Sequence, residues 1–77
     1  MIVEIRNISK STYPGREMNW DITIAEPGKL KGSTAIYTPE DLKVADIYPT
    51  ALKTGDKVMV DVDENFKIMN LLAIVRD

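Results

Sequence analysis

The sequence predicts a mostly β domain in which five antiparallel strands close into a small barrel, with one short helix between strands three and four. Apolar and polar residues alternate with period two in several separate segments, as half-buried strands require. Pro-Gly, Gly-Asp and Asp-Glu-Asn groups separate those segments and supply the backbone angles of tight turns. Only at Thr38-Pro39-Glu40-Asp41 does the pattern change to that of a helix start. With 77 residues, no internal repeat and no low-complexity tract, residues 1–77 read as a single domain.

Strand one is expected over residues 2–9, where Val3 and Ile5 alternate with Glu4 and Arg6. Ser11-Thr12-Tyr13-Pro14-Gly15 then turns the chain. Proline presets φ at one central position and glycine tolerates positive φ at the next, the pair a type II turn needs. Strand two is expected over 17–25, with Met18, Trp20, Ile22 and Ile24 on one face and Glu17, Asn19, Asp21 and Thr23 on the other. Pro27-Gly28 breaks it, and Lys29-Leu30-Lys31-Gly32 forms a loop before strand three at 33–38.

Thr38 caps the helix, Pro39 takes its first position, and Asp41 sits third, where a carboxylate reaches back to the cap. Tyr37 is placed to pack on Leu42 from outside that cap. The helix should end by Ile47 or Tyr48, because Pro49 disfavours helical geometry in the residue before it. Thr54-Gly55-Asp56 leads into strand four at 57–62, where Val58, Val60 and Val62 alternate with Met59 and Asp61. Asp63-Glu64-Asn65 makes a tight hairpin turn into strand five at 66–75. The order β-β-β-α-β-β is that of an OB fold, a five-stranded Greek-key barrel whose sheet face and loops bind oligonucleotides or oligosaccharides. An SH3-like barrel is the competing architecture, but it usually lacks a capped helix at this place.

Composition narrows the function to binding. The chain has no cysteine and no histidine, so it offers no thiolate or imidazole for metals, nucleophilic catalysis or a disulfide framework. Asp61, Asp63 and Glu64 stand close in sequence but lack the spacing and turn glycine of a calcium loop, and read as a solvated hairpin end. No phosphate-cradling glycine loop is present, so neither an enzyme, a cofactor nor a metal is expected. The amino terminus alternates apolar and charged residues like a strand rather than a signal peptide, no segment is long enough to span a bilayer, and a chain without cysteine or histidine fits a reducing cytoplasm. A domain this small has a thin core and no disulfide to staple it, so a homo-oligomer is expected.

Two stretches carry a family resemblance. Residues 12–25, Thr-Tyr-Pro-Gly-Arg-Glu-Met-Asn-Trp-Asp-Ile-Thr-Ile-Ala, resemble the first hairpin of single-stranded DNA-binding proteins, in which a glycine-centred turn feeds an alternating strand. Ala35-Ile36-Tyr37, Glu40-Asp41-Leu42 and residues 51–60, with their Leu-Lys-x-Gly-Asp-x-Val-x-Val run, are similar to that family's third strand, helix and fourth strand. The compact length also resembles the filamentous-phage helix-destabilising proteins. The resemblance touches about half of the chain and implies sequence-tolerant binding of single-stranded DNA, with RNA as a related ligand, in replication or recombination. The chain departs from the family in its short β4–β5 hairpin and in having only one Trp, three Tyr and one Phe. The net charge of −2 also runs against phosphate binding, which draws on clustered cations, and it favours the rival reading of a small protein-interaction module such as a phage-encoded inhibitor or adaptor.

Binding a single strand requires flat rings for base stacking and cations along the phosphates. Arg6, Lys10 and Arg16 are expected on the outer face of strands one and two near Tyr13, which lies in the first turn. Lys57, beside Met59 on strand four, and Lys67 at the start of strand five form a second expected cluster. Trp20 shares the parity of Ile22 and Ile24, which argues for the core against a stacking role; Tyr37 either faces the ligand on strand three or staples onto Leu42. Tyr48 and Phe66 are expected to pack. Arg16 and Tyr13 are the pair on which binding most depends.

Overall fold

The computed structural model describes residues 1–75. Its strands are β1 (Ile2–Lys10), β2 (Trp20–Ala25), β3 (Ser33–Tyr37), β4 (Lys57–Val62) and β5 (Ile68–Val75), with α1 (Pro39–Val44) and a 3-10 turn at Pro49–Ala51 between β3 and β4. All five strands form one antiparallel sheet in the order β3-β2-β1-β4-β5. The long β1 is central because it bonds β2 along its second half and β4 along its first. The sheet is open: β3 and β5 are its edges and exchange no ladder of hydrogen bonds.

The alternation read from the sequence is what buries the core. Val3, Ile5, Ile22, Ile24, Val58, Val60 and Ile68 are all buried on one side of the sheet, each fully buried aliphatic contributing about 1.5–3 kcal/mol. Leu42, Ala45, Ile47 and Leu52 cover that side from α1 and the segment after it. One irregularity matters for function. A β-bulge between Ile5 and Asn7 inserts Arg6 as an unpaired residue, so Ile8 stands opposite Ile22 and Lys10 opposite Trp20. Beyond the bulge the inward residues of β1 are therefore Ile8 and Lys10.

The strap between the edges is side chain and loop. The Tyr37 hydroxyl, at the end of β3, accepts the backbone N–H of Ile68 at 2.8 Å in a buried site. The Ala45 carbonyl, just after α1, accepts the N–H of Leu71 at 2.8 Å. The expected seal of Tyr37 against the helix is realised: its ring is 1% exposed and lies in the same buried cluster as Leu42.

Helix α1 starts as anticipated and stops early. Thr38 Oγ1 accepts the Asp41 N–H at 3.1 Å, and Asp41 Oδ2 accepts the Thr38 N–H at 3.1 Å, a complete capping box. The helix ends at Val44, inside the expected limit of Ile47 or Tyr48, because Asp46 takes a left-handed φ of 58°. The Ile47 N–H then bonds the Leu42 carbonyl and the Asp46 N–H the Lys43 carbonyl, a Schellman stop that Asp tolerates better than most side chains. Thr38→Ala is expected to destabilise the fold by about 0.5–2 kcal/mol, read as a lower urea midpoint at unchanged slope.

Two further expectations are corrected. Strand β2 begins at Trp20, not at residue 17, because Arg16 to Asn19 forms a second turn closed by the Asn19 N–H on the Arg16 carbonyl at 3.0 Å. Strand β5 begins at Ile68, not at residue 66, because the hairpin turn consumes Phe66 and Lys67: Phe66 N–H bonds the Asp63 carbonyl and Asp63 N–H the Lys67 carbonyl.

Candidate nucleic-acid interface

Residues 11–19 form an ordered loop at one end of the sheet. Its base is closed by the Ser11 N–H on the Asn19 carbonyl at 2.9 Å. Within it, the Arg16 N–H bonds the Tyr13 carbonyl at 3.1 Å and Gly15 has φ of 80°, the positive angle that the third residue of a type II turn demands and glycine accepts without strain. Glu17 Oε1 accepts the Gly15 N–H at 3.0 Å, and that bond holds the carboxyl below its ordinary range. The loop thus carries its own hydrogen bonds and projects Tyr13, 62% exposed, together with the exposed Arg16.

The neck of this loop is Lys10 opposite Trp20. Lys10 Nζ lies 5.9 Å from the centre of the Trp20 ring, at the outer range of a cation–π contact. Trp20 is half-buried and packs against the core, so its parity with Ile22 and Ile24 is real, yet it remains within reach of a cation at the rim. Among the described residues, neither Lys10 nor Arg16 forms an ion pair. Lys10, Tyr13, Arg16 and Trp20 are therefore brought together at one end of the molecule.

The other expected residues lie elsewhere. Arg6, displaced by the bulge, donates from Nη2 to the Lys29 carbonyl at 2.7 Å. Its Nε sits 2.8 Å from Glu4 Oε1, close enough for an ion pair though not aligned as a hydrogen bond. The expected Arg6–Lys10–Arg16 patch on the outer face does not form, because the bulge divides β1 and turns Lys10 towards Trp20. Beyond the bulge, the outward side of β1 and its neighbours β2 and β3 carries instead Asn7, Ser9, Asp21, Thr23, Thr34 and Ile36, without a ring or a cation. Thr23 and Thr34 share a 2.6 Å hydroxyl hydrogen bond across that side.

Tyr37 is too buried to stack a base. Lys67 covers it, with Nζ 4.9 Å from the ring centre and 3.4 Å from Asp41 Oδ2. The expected Lys57–Lys67 cluster does not form either. The hairpin register pairs Lys57 with Val75 at the far end of β5, whereas Lys67 lies beside the turn. Lys57 is exposed on the outward side of β4, as its alternation with Val58 requires.

The sequence reading overlooked a groove at the opposite end from residues 11–19. It encloses about 810 Å³ between the β2–β3 loop, the start of β3 and Phe66, over a floor of Ile24 and Ala25. Gly32 makes this close approach possible, since a Cβ there would lie 2.7 Å from the Ile24 carbonyl oxygen. Phe66, expected simply to pack, holds a φ of 62°, a conformation that costs a bulky side chain about 1–2 kcal/mol and suits glycine or asparagine. Its position three residues after Asp63 in a tight hairpin is the signal that could have flagged it. No family model, curated protein or solved structure matches this chain in the comparisons made.

Proposed function

We propose that the chain is an OB-type domain that binds single-stranded DNA without strong sequence preference and without catalysis, as a protein of replication or recombination. The strand order, with edges β3 and β5 strapped together through Tyr37 and Ala45, supports the barrel. The observation that carries the binding reading is the gathering of Lys10, Tyr13, Arg16 and Trp20 at one end. Two cations without an ion-pair partner among the described residues stand there beside an exposed ring and a half-buried indole. A base stacks on Tyr13 while its neighbouring phosphates meet Arg16 and Lys10, and each stacked base contributes about 1–3 kcal/mol. The apolar row Ile2, Met59 and Ala73, directly paired across β1, β4 and β5, supports self-association on the outward side, away from this end.

Trp20 is the sole tryptophan, so its fluorescence reports this end directly. Titration with oligo-dT at low salt is expected to change that emission, and log Kd should depend on log[salt] with a slope near 1.4, about 0.7 for each of two phosphate contacts. Tyr13→Ala should weaken binding about 5- to 150-fold, and Arg16→Ala should lower the slope by about 0.7. Absence of any binding at low salt sinks the reading; parallel titrations with oligo-rU and duplex rank the ligands.

A further inference from the structure

We infer that the groove beside Phe66 docks an extended peptide segment of a partner protein, one that alternates apolar and acidic side chains. This inference does not rest on the nucleic-acid reading, since it uses the opposite end of the sheet and none of the same residues.

Three observations converge on this occupant. The floor and one wall are apolar: Ile24, Ala25 and the half-exposed ring of Phe66. That ring is held there at a backbone angle an unconstrained phenylalanine avoids, and strain of this kind persists where a site depends on it. The rim carries two exposed lysines, Lys29 and Lys31, on either side of Leu30, which is 98% exposed, against a single acid, Glu26, and so is net basic. Neither lysine forms an ion pair among the described residues. Finally, β3 begins in the groove at Ser33 and is bonded on one side only, by β2.

An edge strand with an unpaired row of N–H and C=O groups accepts an extended peptide by strand addition, and pockets for alternate side chains then give selectivity. In an extended segment successive side chains point to opposite sides. Apolar positions therefore enter the groove against Phe66 while carboxylates reach the two lysines at its rim. Arg6 fixes this geometry from below, because its bond to the Lys29 carbonyl anchors the loop to β1. The groove, about 810 Å³ and widely open to solvent, suits a short extended segment laid along it.

The test is an amide-resolved NMR titration of the full chain with the blocked peptide Ac-Glu-Leu-Glu-Val-Glu-NH2, and with Ac-Lys-Leu-Lys-Val-Lys-NH2 as its basic counterpart. The acidic peptide is expected to shift Gly28, Lys29, Gly32, Ser33 and Phe66 and to bind about tenfold tighter than the basic one. Phe66→Gly removes the ring and relieves the backbone, so the fold survives, as unshifted core amides would show, while affinity falls about tenfold. Unchanged affinity in Phe66→Gly, no shifts at about 1 mM peptide, or shifts confined to residues 11–19 would each overturn the inference. So would oligo-dT displacing the peptide from this groove, which would make it a nucleic-acid surface instead.

Discussion

Tyr37→Ala is expected to destabilise the fold by about 3–5 kcal/mol, the cost of emptying a buried aromatic site. In a domain of this size that approaches the whole stability. Tyr37→Phe isolates the hydroxyl. It leaves the Ile68 N–H buried without its 2.8 Å acceptor, and an orphaned buried donor costs about 1–3 kcal/mol. Hydrogen exchange should locate the damage: the Ile68 amide loses protection beyond the global change, whereas the amides of the β1–β2 ladder follow the global change alone. Equal loss everywhere would show that the ring, not the hydroxyl, joins the two edges.

The same phenol makes stability depend on alkaline pH. Burial pushes the Tyr37 phenol up to about 12, with Asp63 and Asp41 adding to the rise and the Ile68 amide opposing it. An unfolded tyrosine ionises near 10. The folded state therefore disfavours the phenolate, and its advantage is complete below pH 10 and lost as pH climbs from 10 through 12. At about 1.4 kcal/mol per unit, the loss amounts to about 3 kcal/mol. Urea unfolding between pH 9 and 12 should show it in the wild type, and Tyr37→Phe should remove that component.

Ile5→Ala is expected to cost about 2–5 kcal/mol. Ile5 has no exposed surface and stands just before the bulge. Its backbone also anchors the approach to β4, donating to the Asp56 carbonyl and accepting from the Gly55 N–H, both at 2.8 Å. Its side chain thus closes the core at the one point where β1 passes from β4 to β2. Thermal unfolding should show the midpoint falling by about 8–40 °C, on the roughly 4–8 °C per kcal/mol expected for so short a chain. A loss below about 1 kcal/mol would mean that the neighbours collapse into the gap.

Where sequence and structure agree, a local chemical rule decides the outcome. Strand β4 runs over the anticipated residues because Val58, Val60 and the glycine before them leave little choice. Thr38, Pro39 and Asp41 specify a capping box by their own side chains. The misreadings come from choices of one residue's span. Glu17, Met18 and Asn19 continue the alternation of β2, yet Met18 is 68% exposed because a turn hydrogen bond wins over the ladder there. The bulge at Arg6 carries no composition signal, and it alone separates Arg6 from Lys10. Asp46 stops the helix without a glycine to mark the place.

The candidate site divides along the same line. Lys10, Tyr13, Arg16 and Trp20 are near neighbours in sequence joined by a single loop, so proximity could be read directly. Lys57 and Lys67 depended on hairpin register, and Tyr37 on which way one edge strand turns its last side chain. Those are tertiary choices that alternation does not encode.

The last strand, Ile-Met-Asn-Leu-Leu-Ala-Ile-Val over Ile68–Val75, has no charge, no proline and no glycine, the profile of segments that stack into fibrils. As an outermost strand it should recruit like chains, yet a phenol and a carbonyl from elsewhere in the protein already occupy its Ile68 and Leu71 amides, and irregularities at Met69 and Leu72 break its repeat. Loosening that cover would expose an uncharged strand edge of the kind that pairs with other chains.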